Sequence, residues 1–98
     1  MIKTKNRKIS VNKRNNYLLT LPPVWWGLVF EESNDAFLSV IDDGFLLTSE
    51  PVDDNVIYKH CRLIKSGNNK QICLPKSDSL NVETTLDTDL KQIKIIYE

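Results

Sequence analysis

Apolar and polar residues alternate along most of this chain with the two-residue period typical of β-strands. Residues 7–13 alternate around Ile9 and Val11, and residues 17–21 form a second run rich in β-forming side chains. The Pro-Pro pair that follows has no N–H to donate to a sheet, so the second strand is predicted to end there. The pattern predicts a mostly β protein.

A short helix is predicted directly after the two prolines, because proline is tolerated in the first helical turn. Residues 24–28 would give about one turn, and Gly27 is expected to end it. One of Trp25 and Trp26 is then expected to pack in the core and the other to be exposed. An exposed tryptophan is a candidate protein contact, since tryptophan is enriched at interaction hot spots. Core packing of both, with distortion, is the alternative.

Residues 35–51 contain the clearest element, a hairpin. Two apolar runs flank Asp43 and Gly44, a dipeptide typical of two-residue hairpin turns, and Pro51 closes the element. The second half of the chain repeats the order of the first. That order is strand, turn, strand, Leu-Pro, short helix, strand, turn and strand.

The two Leu-Pro segments fix how the halves correspond. Superposition of the stretch "TLPP" on "CLPK" sets an offset of 53 residues, and Asn15 and Asn16 then fall on Asn68 and Asn69. A four-stranded unit of this kind exposes an apolar face and open edges, so it needs another unit like it.

We therefore predict one domain over residues 1–98, made of a first repeat, residues 1–51, and a second repeat, residues 52–98. The predicted fold class is mostly β, a small barrel of two β-hairpin repeats with a short helix after each Leu-Pro. A single meander barrel whose halves are alike by chance is the alternative.

Charged residues are segregated along the chain, although the net charge is zero. Blocks over residues 1–30, 31–58, 59–76 and 77–98 carry net charges of +6, −8, +5 and −3. The blocks follow the repeat, with one basic block in each half, so folding can gather both blocks on one positive face. Such a face is typical of nucleic-acid binding, and solvated surfaces without a partner are the alternative.

The composition argues against an enzyme, a metal site and a membrane protein. The single histidine, His60, adjoins Cys61, but neighbouring strand residues point to opposite faces and cannot act together. Two cysteines and one histidine are too few for a zinc site of familiar spacing. No apolar run approaches the ~18 residues of a membrane span, and the basic start of the chain lacks the apolar core of a signal peptide. We expect a cytoplasmic protein that needs no cofactor.

Residues 65–75 resemble the AbrB/MazE-type swapped-hairpin domain. MazE-like members carry Lys/Arg-x-Gly-Asn-Ser, then alternating apolar residues, then Ile/Leu-Pro and a short helix. Asn69 stands here where serine is common. The matching residues are Lys65, Gly67, Asn68, Leu74 and Pro75.

The first repeat is similar to the closing hairpin of the same family. The matching residues are Asp35, Asp43, Gly44, Leu46 and Pro51. Together the two copies cover nearly the whole chain. Family members typically carry one copy per chain and dimerise, so the resemblance implies a pseudo-dimer within one chain, or a homodimer.

The resemblance also implies a transcriptional regulator of antitoxin-like type that binds duplex DNA through the basic face of the barrel. Lysine and arginine neutralise phosphates, and asparagine bonds phosphates or adenine edges. We expect both basic turns to lie on the same side, and an arm formed by Lys3, Lys5 and Arg7 to reach the DNA backbone. The candidate DNA-binding residues are Arg7, Lys8, Lys13, Arg14, Asn15 and Asn16 in the first repeat, and Arg62, Lys65, Asn68, Asn69 and Lys70 in the second.

A protein-binding module is the alternative function. Such a module would use the surface around Trp25 and Trp26, or the acidic blocks, to engage another protein. An inhibitor of a host protein, encoded by a phage or plasmid, would fit this description.

Overall fold

The computed structural model describes residues 2–31, 34–50, 56–66 and 69–98. These residues form two antiparallel β-sheets and one α-helix, so the mostly β fold class is confirmed. Hydrogen bonding within the described residues leaves both sheets open, and the expected closed barrel is not formed. No helix in this part of the chain has the length and apolar character needed to cross a membrane.

The larger sheet has six strands and the smaller has four. In spatial order the six-stranded sheet contains β1 (Ile2–Lys8), β9 (Asn81–Asp87), β10 (Gln92–Tyr97), β5 (Gly44–Thr48), β4 (Asp35–Ile41) and β6 (Val56–Arg62). The four-stranded sheet contains β2 (Ser10–Val11), β3 (Tyr17–Leu21), β8 (Asn69–Leu74) and β7 (Ile64–Ser66).

The chain crosses from the larger to the smaller sheet at two buried residues. Ile9 separates β1 from β2, and its N–H donates to the carbonyl of Leu80 at 2.7 Å. Leu63 separates β6 from β7, and its N–H donates to the carbonyl of Asn34 at 2.8 Å. The continuous strand predicted over residues 7–13 is therefore wrong, because the buried residue at the corner turns the chain into another sheet.

The two halves of the chain occupy equivalent positions in both sheets. If β1–β5 are exchanged in order with β6–β10, each sheet has the same strand order, read from its other side. At the centre of the smaller sheet, Leu19 of β3 lies opposite Ile72 of β8. These residues are 53 positions apart, the same offset as the two Leu-Pro segments. β1 pairs with β9, and β6 pairs with β4, so each half supplies an outer strand to the hairpin of the other half.

The core lies between the two sheets and follows the predicted alternation. Along β9, Val82, Thr84 and Leu86 are buried, whereas the residues between them are partly or fully exposed. The hydroxyl of Thr84 donates to the carbonyl of Lys5 at 2.8 Å, so this buried polar group is satisfied. Other fully buried core side chains are Ile9, Leu19, Leu21, Leu38, Leu47, Ile72, Ile93 and Ile95.

The helix α1 (Pro23–Phe30) is longer than the single turn predicted. It passes through Gly27 and ends at Phe30, because the next residue, Glu31, has a φ of 55°, outside the helical region. Two full turns bring both tryptophans against the sheets, and Trp25 and Trp26 are only 6% and 2% exposed. The indole N–H of Trp26 donates to the carbonyl of Leu21 at 2.9 Å. The expectation of one exposed tryptophan is therefore wrong, and neither one offers a protein-binding surface.

The second predicted helix, after Pro75, is also wrong. Residues 75–80 form no regular structure. Their serine hydroxyls bond the backbone instead, Ser77 to the carbonyl of Ser79 and Ser79 to the carbonyl of Glu98, each at 2.6 Å. The local bond of Ser77 competes with a helix, the bond of Ser79 ties the segment to the residue after β10, and the segment lacks the aromatic residues that anchor α1.

The predicted hairpin at Asp43 and Gly44 is confirmed, but its turn is displaced by one residue. Residues 42–43 form the turn, and Gly44 begins β5 opposite Ile41 and Ile96. A Cβ at Gly44 would overlap the carbonyl oxygen of Ile95. The glycine is therefore required by the close approach of β10 rather than by the turn itself.

Candidate nucleic-acid interface

The four-stranded sheet and its connecting turns, residues 10–21 and 64–74, contain no aspartate or glutamate. All 13 acidic residues of the chain lie elsewhere. The cations of this part are Lys13, Arg14, Lys65 and Lys70. The smaller sheet and its turns therefore carry only positive charges, whereas the rest of the chain carries charges of both signs.

Asn12 builds the first basic turn, between β2 and β3. Its side-chain oxygen accepts hydrogen bonds from the backbone N–H of Arg14 at 3.0 Å and of Asn16 at 2.9 Å. Asn15 adopts a φ of 63°, which asparagine tolerates better than most residues. The turn is thus held by asparagines while the side chains of Lys13 and Arg14 are exposed. Sequence reasoning missed Asn12, although an asparagine that opens a turn is a known signal.

The second basic region lies on β7 and β8. Lys65 stands directly opposite Lys70, an unfavourable pairing of like charges. The ammonium group of Lys70 donates to the side-chain oxygen of Asn34 at 2.9 Å. Within the described residues no carboxylate forms an ion pair with Lys65 or Lys70, so an external anion would be favoured here. Asn69 is exposed, and Asn68 lies outside the described residues.

The two basic regions lie at opposite ends of the smaller sheet. Tyr17 pairs with Leu74, and Leu21 pairs with Lys70, so β3 and β8 run antiparallel. The two hairpins therefore point in opposite directions, and the expectation that the turns lie on the same side is wrong. The four residue steps from one end of β3 to the other span about 13 Å.

Three further candidates lie on the larger sheet instead. Arg7 and Lys8 belong to β1, which pairs with β9 over its whole length, so the expected arm of Lys3, Lys5 and Arg7 is instead a strand of the sheet. Arg62 belongs to β6 at the other side of that sheet, and its Nε lies 3.7 Å from a carboxylate oxygen of Asp35. These residues are not gathered with the cations of the smaller sheet.

His60 and Cys61 face opposite sides of β6, as predicted, because His60 pairs with Phe37 and Cys61 with Ala36. The His60 ring stacks on Phe37 with a centroid separation of 4.4 Å. Burial raises the pKa of the Cys61 thiol above its usual value, and the charge of nearby Lys59 opposes the shift. This pair therefore lacks the geometry of a nucleophile and its base.

A cleft of about 500 Å³ lies between the end of α1 and the turns of the larger sheet. Glu31, Glu50 and Asp89 line it, and the ammonium group of Lys91 lies 3.0 Å from a carboxylate oxygen of Glu31. The acidic lining is unsuited to nucleic acid. Within the described residues there is no group of three or more His, Cys, Asp or Glu side chains that could hold a metal ion.

Comparison of the chain with protein-family models, curated proteins and solved structures gives no match. The resemblance to AbrB/MazE-type domains therefore stays a prediction. Charge and strand arrangement are the properties from which a function is inferred.

Proposed function

We propose that the chain binds duplex DNA through the four-stranded sheet and is a transcriptional regulator of the AbrB/MazE type. One observation carries this proposal, the absence of any acidic residue from a sheet that holds four cations. We also propose that the chain is a pseudo-dimer of the kind that the AbrB/MazE resemblance implies. The strand order supports this, because it is unchanged when the two halves are exchanged. Cations without neighbouring carboxylates attract phosphates and release their counterions.

The width of the sheet determines how it would meet DNA. Three spacings of ~4.8 Å separate its outer strands, which gives about 14 Å between their backbones. The major groove is about 12 Å wide, so a flat four-stranded sheet does not enter it. The sheet instead rests on phosphates, and the asparagines of its turns reach toward base edges. Binding is then dominated by backbone contacts, with modest sequence selectivity.

The two ends of the sheet are not equivalent as DNA contacts. One end presents exposed Lys13 and Arg14 on an ordered turn, whereas Lys70 at the other end is held by Asn34. Half-sites bound by the two ends would differ accordingly. We therefore propose an imperfectly symmetric operator.

Titration of a fluorescent duplex in a series of salt concentrations tests the binding. Four phosphate contacts predict a slope of about −3.6 for log K against log salt, since each contact contributes about −0.9. In the double variant Lys13→Ala/Arg14→Ala the slope should fall to roughly half of that value. The control is Lys94→Ala, which removes an exposed lysine of β10 on the larger sheet and should leave the slope unchanged.

Affinity that does not weaken with salt would contradict DNA binding, as would an equal loss in the Lys94→Ala variant. Circular dichroism of each variant checks that the fold is retained. Selection of bound sequences from a random duplex pool tests the regulatory role separately. An imperfect inverted repeat should be enriched, and recovery of unselected sequence would contradict regulation but not binding.

A further inference from the structure

β1 is an outer strand of the six-stranded sheet with one open edge. All seven of its residues pair with β9, and no other described strand pairs with its opposite edge. An outer strand directs backbone N–H and C=O groups of alternate residues away from the sheet, where another extended chain can bond them. β1 therefore provides a template for one additional strand.

Three cations recur on one face of β1. Lys3, Lys5 and Arg7 lie opposite Leu86, Thr84 and Val82, which are buried residues of β9. These cations therefore lie on the side of the sheet that carries the core. Because every second residue shares a face, neighbouring cations are about 7 Å apart. An extended peptide places its own alternate side chains at the same spacing.

The cations of β1 are not neutralised within the described residues. β1 contains no acidic residue, and its neighbours on this face of β9 are uncharged. Lys3, Lys5 and Arg7 form no ion pair among the described residues. The Nε atom of Arg7 is buried and has no hydrogen-bond partner there. Because this atom is inaccessible, the groups on this face that an external anion can reach include the exposed ammonium groups of Lys3 and Lys5.

β6, the other outer strand of the same sheet, shows a different arrangement. Two of its side chains contact a carboxylate oxygen of Asp35 on the neighbouring strand, His60 through Nε2 at 3.4 Å and Arg62 through Nε at 3.7 Å. Lysines on an outer strand often serve only to prevent unwanted pairing. That role would explain exposed lysines on both strands, but it does not require three cations at alternate positions on one face of β1 opposite uncharged residues.

We infer that β1 is the docking edge for an extended acidic segment of a partner protein. The segment pairs with β1 as a seventh strand, and its alternate carboxylates face Lys3, Lys5 and Arg7. Cβ atoms of directly paired residues are about 5 Å apart, within reach of ion pairs between these side chains. Charge-assisted hydrogen bonds from the exposed ammonium groups of Lys3 and Lys5 to these carboxylates strengthen the pairing. Backbone pairing gives affinity, and the alternation of charge gives selectivity.

A labelled peptide of seven residues, the length of β1, tests the inference by fluorescence anisotropy. The probe alternates glutamate with threonine or valine, and a control peptide of the same composition has its glutamates adjacent. The alternating peptide should bind about tenfold more tightly than the control. The double variant Lys3→Ala/Lys5→Ala should weaken binding of the alternating peptide about tenfold. Lys59→Ala on β6 is the matched control and should have no effect.

Equal affinity for the two peptides would reduce the interaction to charge attraction and overturn the inference. An equal loss of affinity for the alternating peptide in the Lys59→Ala variant would also overturn the inference. Circular dichroism of the double variant shows whether its fold is retained. A peptide with methylated amides on alternate residues tests backbone pairing with β1 in the unmodified protein. The methylated peptide should bind at least tenfold more weakly, and unchanged binding would overturn strand pairing.

The inference is separable from the proposed DNA binding. The variant Lys13→Ala/Arg14→Ala should bind the alternating peptide as the unmodified chain does, because its substitutions lie on the smaller sheet. Displacement of the peptide by duplex DNA, together with reduced DNA binding in Lys3→Ala/Lys5→Ala, would assign β1 to nucleic acid and overturn the inference.

Discussion

The first half of the molecule, β1–β5 with α1, and the second half, β6–β10, place their strands in equivalent positions but differ in the segment after Leu-Pro. The first half builds an apolar two-turn helix there, whereas residues 75–80 of the second form no regular structure. Strand positions follow from the apolar residues that both halves bury, such as Leu19 and Ile72. The two segments after Leu-Pro do not bury matching apolar residues, so the structure of each is determined by its own local sequence.

The largest expected difference between the halves concerns the helix. Trp26→Ala should lower the free energy of unfolding by about 3–5 kcal/mol, because it removes a buried aromatic side chain and its hydrogen bond to Leu21. Ser79→Ala, at the equivalent place in the second half, should lower it by less than about 1 kcal/mol. Urea denaturation measures both. Comparable losses in the two variants would show that both connections anchor the fold equally.

Replacement of glycine by alanine should change the stability of the protein in opposite directions at two positions of the first half. Gly44→Ala should destabilise the protein by about 1–3 kcal/mol, because the added carbon meets the backbone of Ile95. Gly27→Ala should stabilise it by about 0.5–1 kcal/mol, since no atom lies within 4 Å of the new carbon in the helix. Thermal and urea unfolding distinguish the two, and destabilisation at both positions would contradict the open surroundings of Gly27.

The smallest expected effect concerns the hairpin turn of the second half. Residues 88–91 form a longer turn than residues 42–43, and Lys91 adopts a φ of 50°. Lys91→Gly should raise the free energy of unfolding by about 0.5 kcal/mol, because glycine adopts this conformation without steric strain. Lys91→Ala retains the strain and removes the same exposed ion pair with Glu31, so it is the control. Equal stabilities of the two variants would show that strain at this position is negligible.

Local patterns predicted most of the strands, because alternation reports which residues one face of a strand buries. They did not predict that Ile9 turns the chain between sheets, since a buried residue at a corner continues the same alternation. The one-turn prediction placed one tryptophan outside the core, whereas the helix continues past Gly27 and both Trp25 and Trp26 are buried. The role of Gly44 depends on a strand about fifty residues further along the chain.

The candidate site was predictable in composition but not in arrangement. The sequence alone shows that acidic residues are absent around Lys13 and around Lys65. That these cations share one sheet, and that their turns point in opposite directions, follows from the pairing of β3 with β8. Such long-range pairing leaves no local signal. Arg7 and Lys8 were separated from the others for the same reason, because their strand pairs with β9.

The exchange of outer strands between the halves has a consequence for how the chain folds. Ile2 pairs with Asp87, so the first strand finds its place only after nearly the whole chain is available. Contacts of such high contact order make folding slow compared with helical proteins of the same size. Neither half can reach its native sheet alone, because each outer strand pairs with the hairpin of the other half.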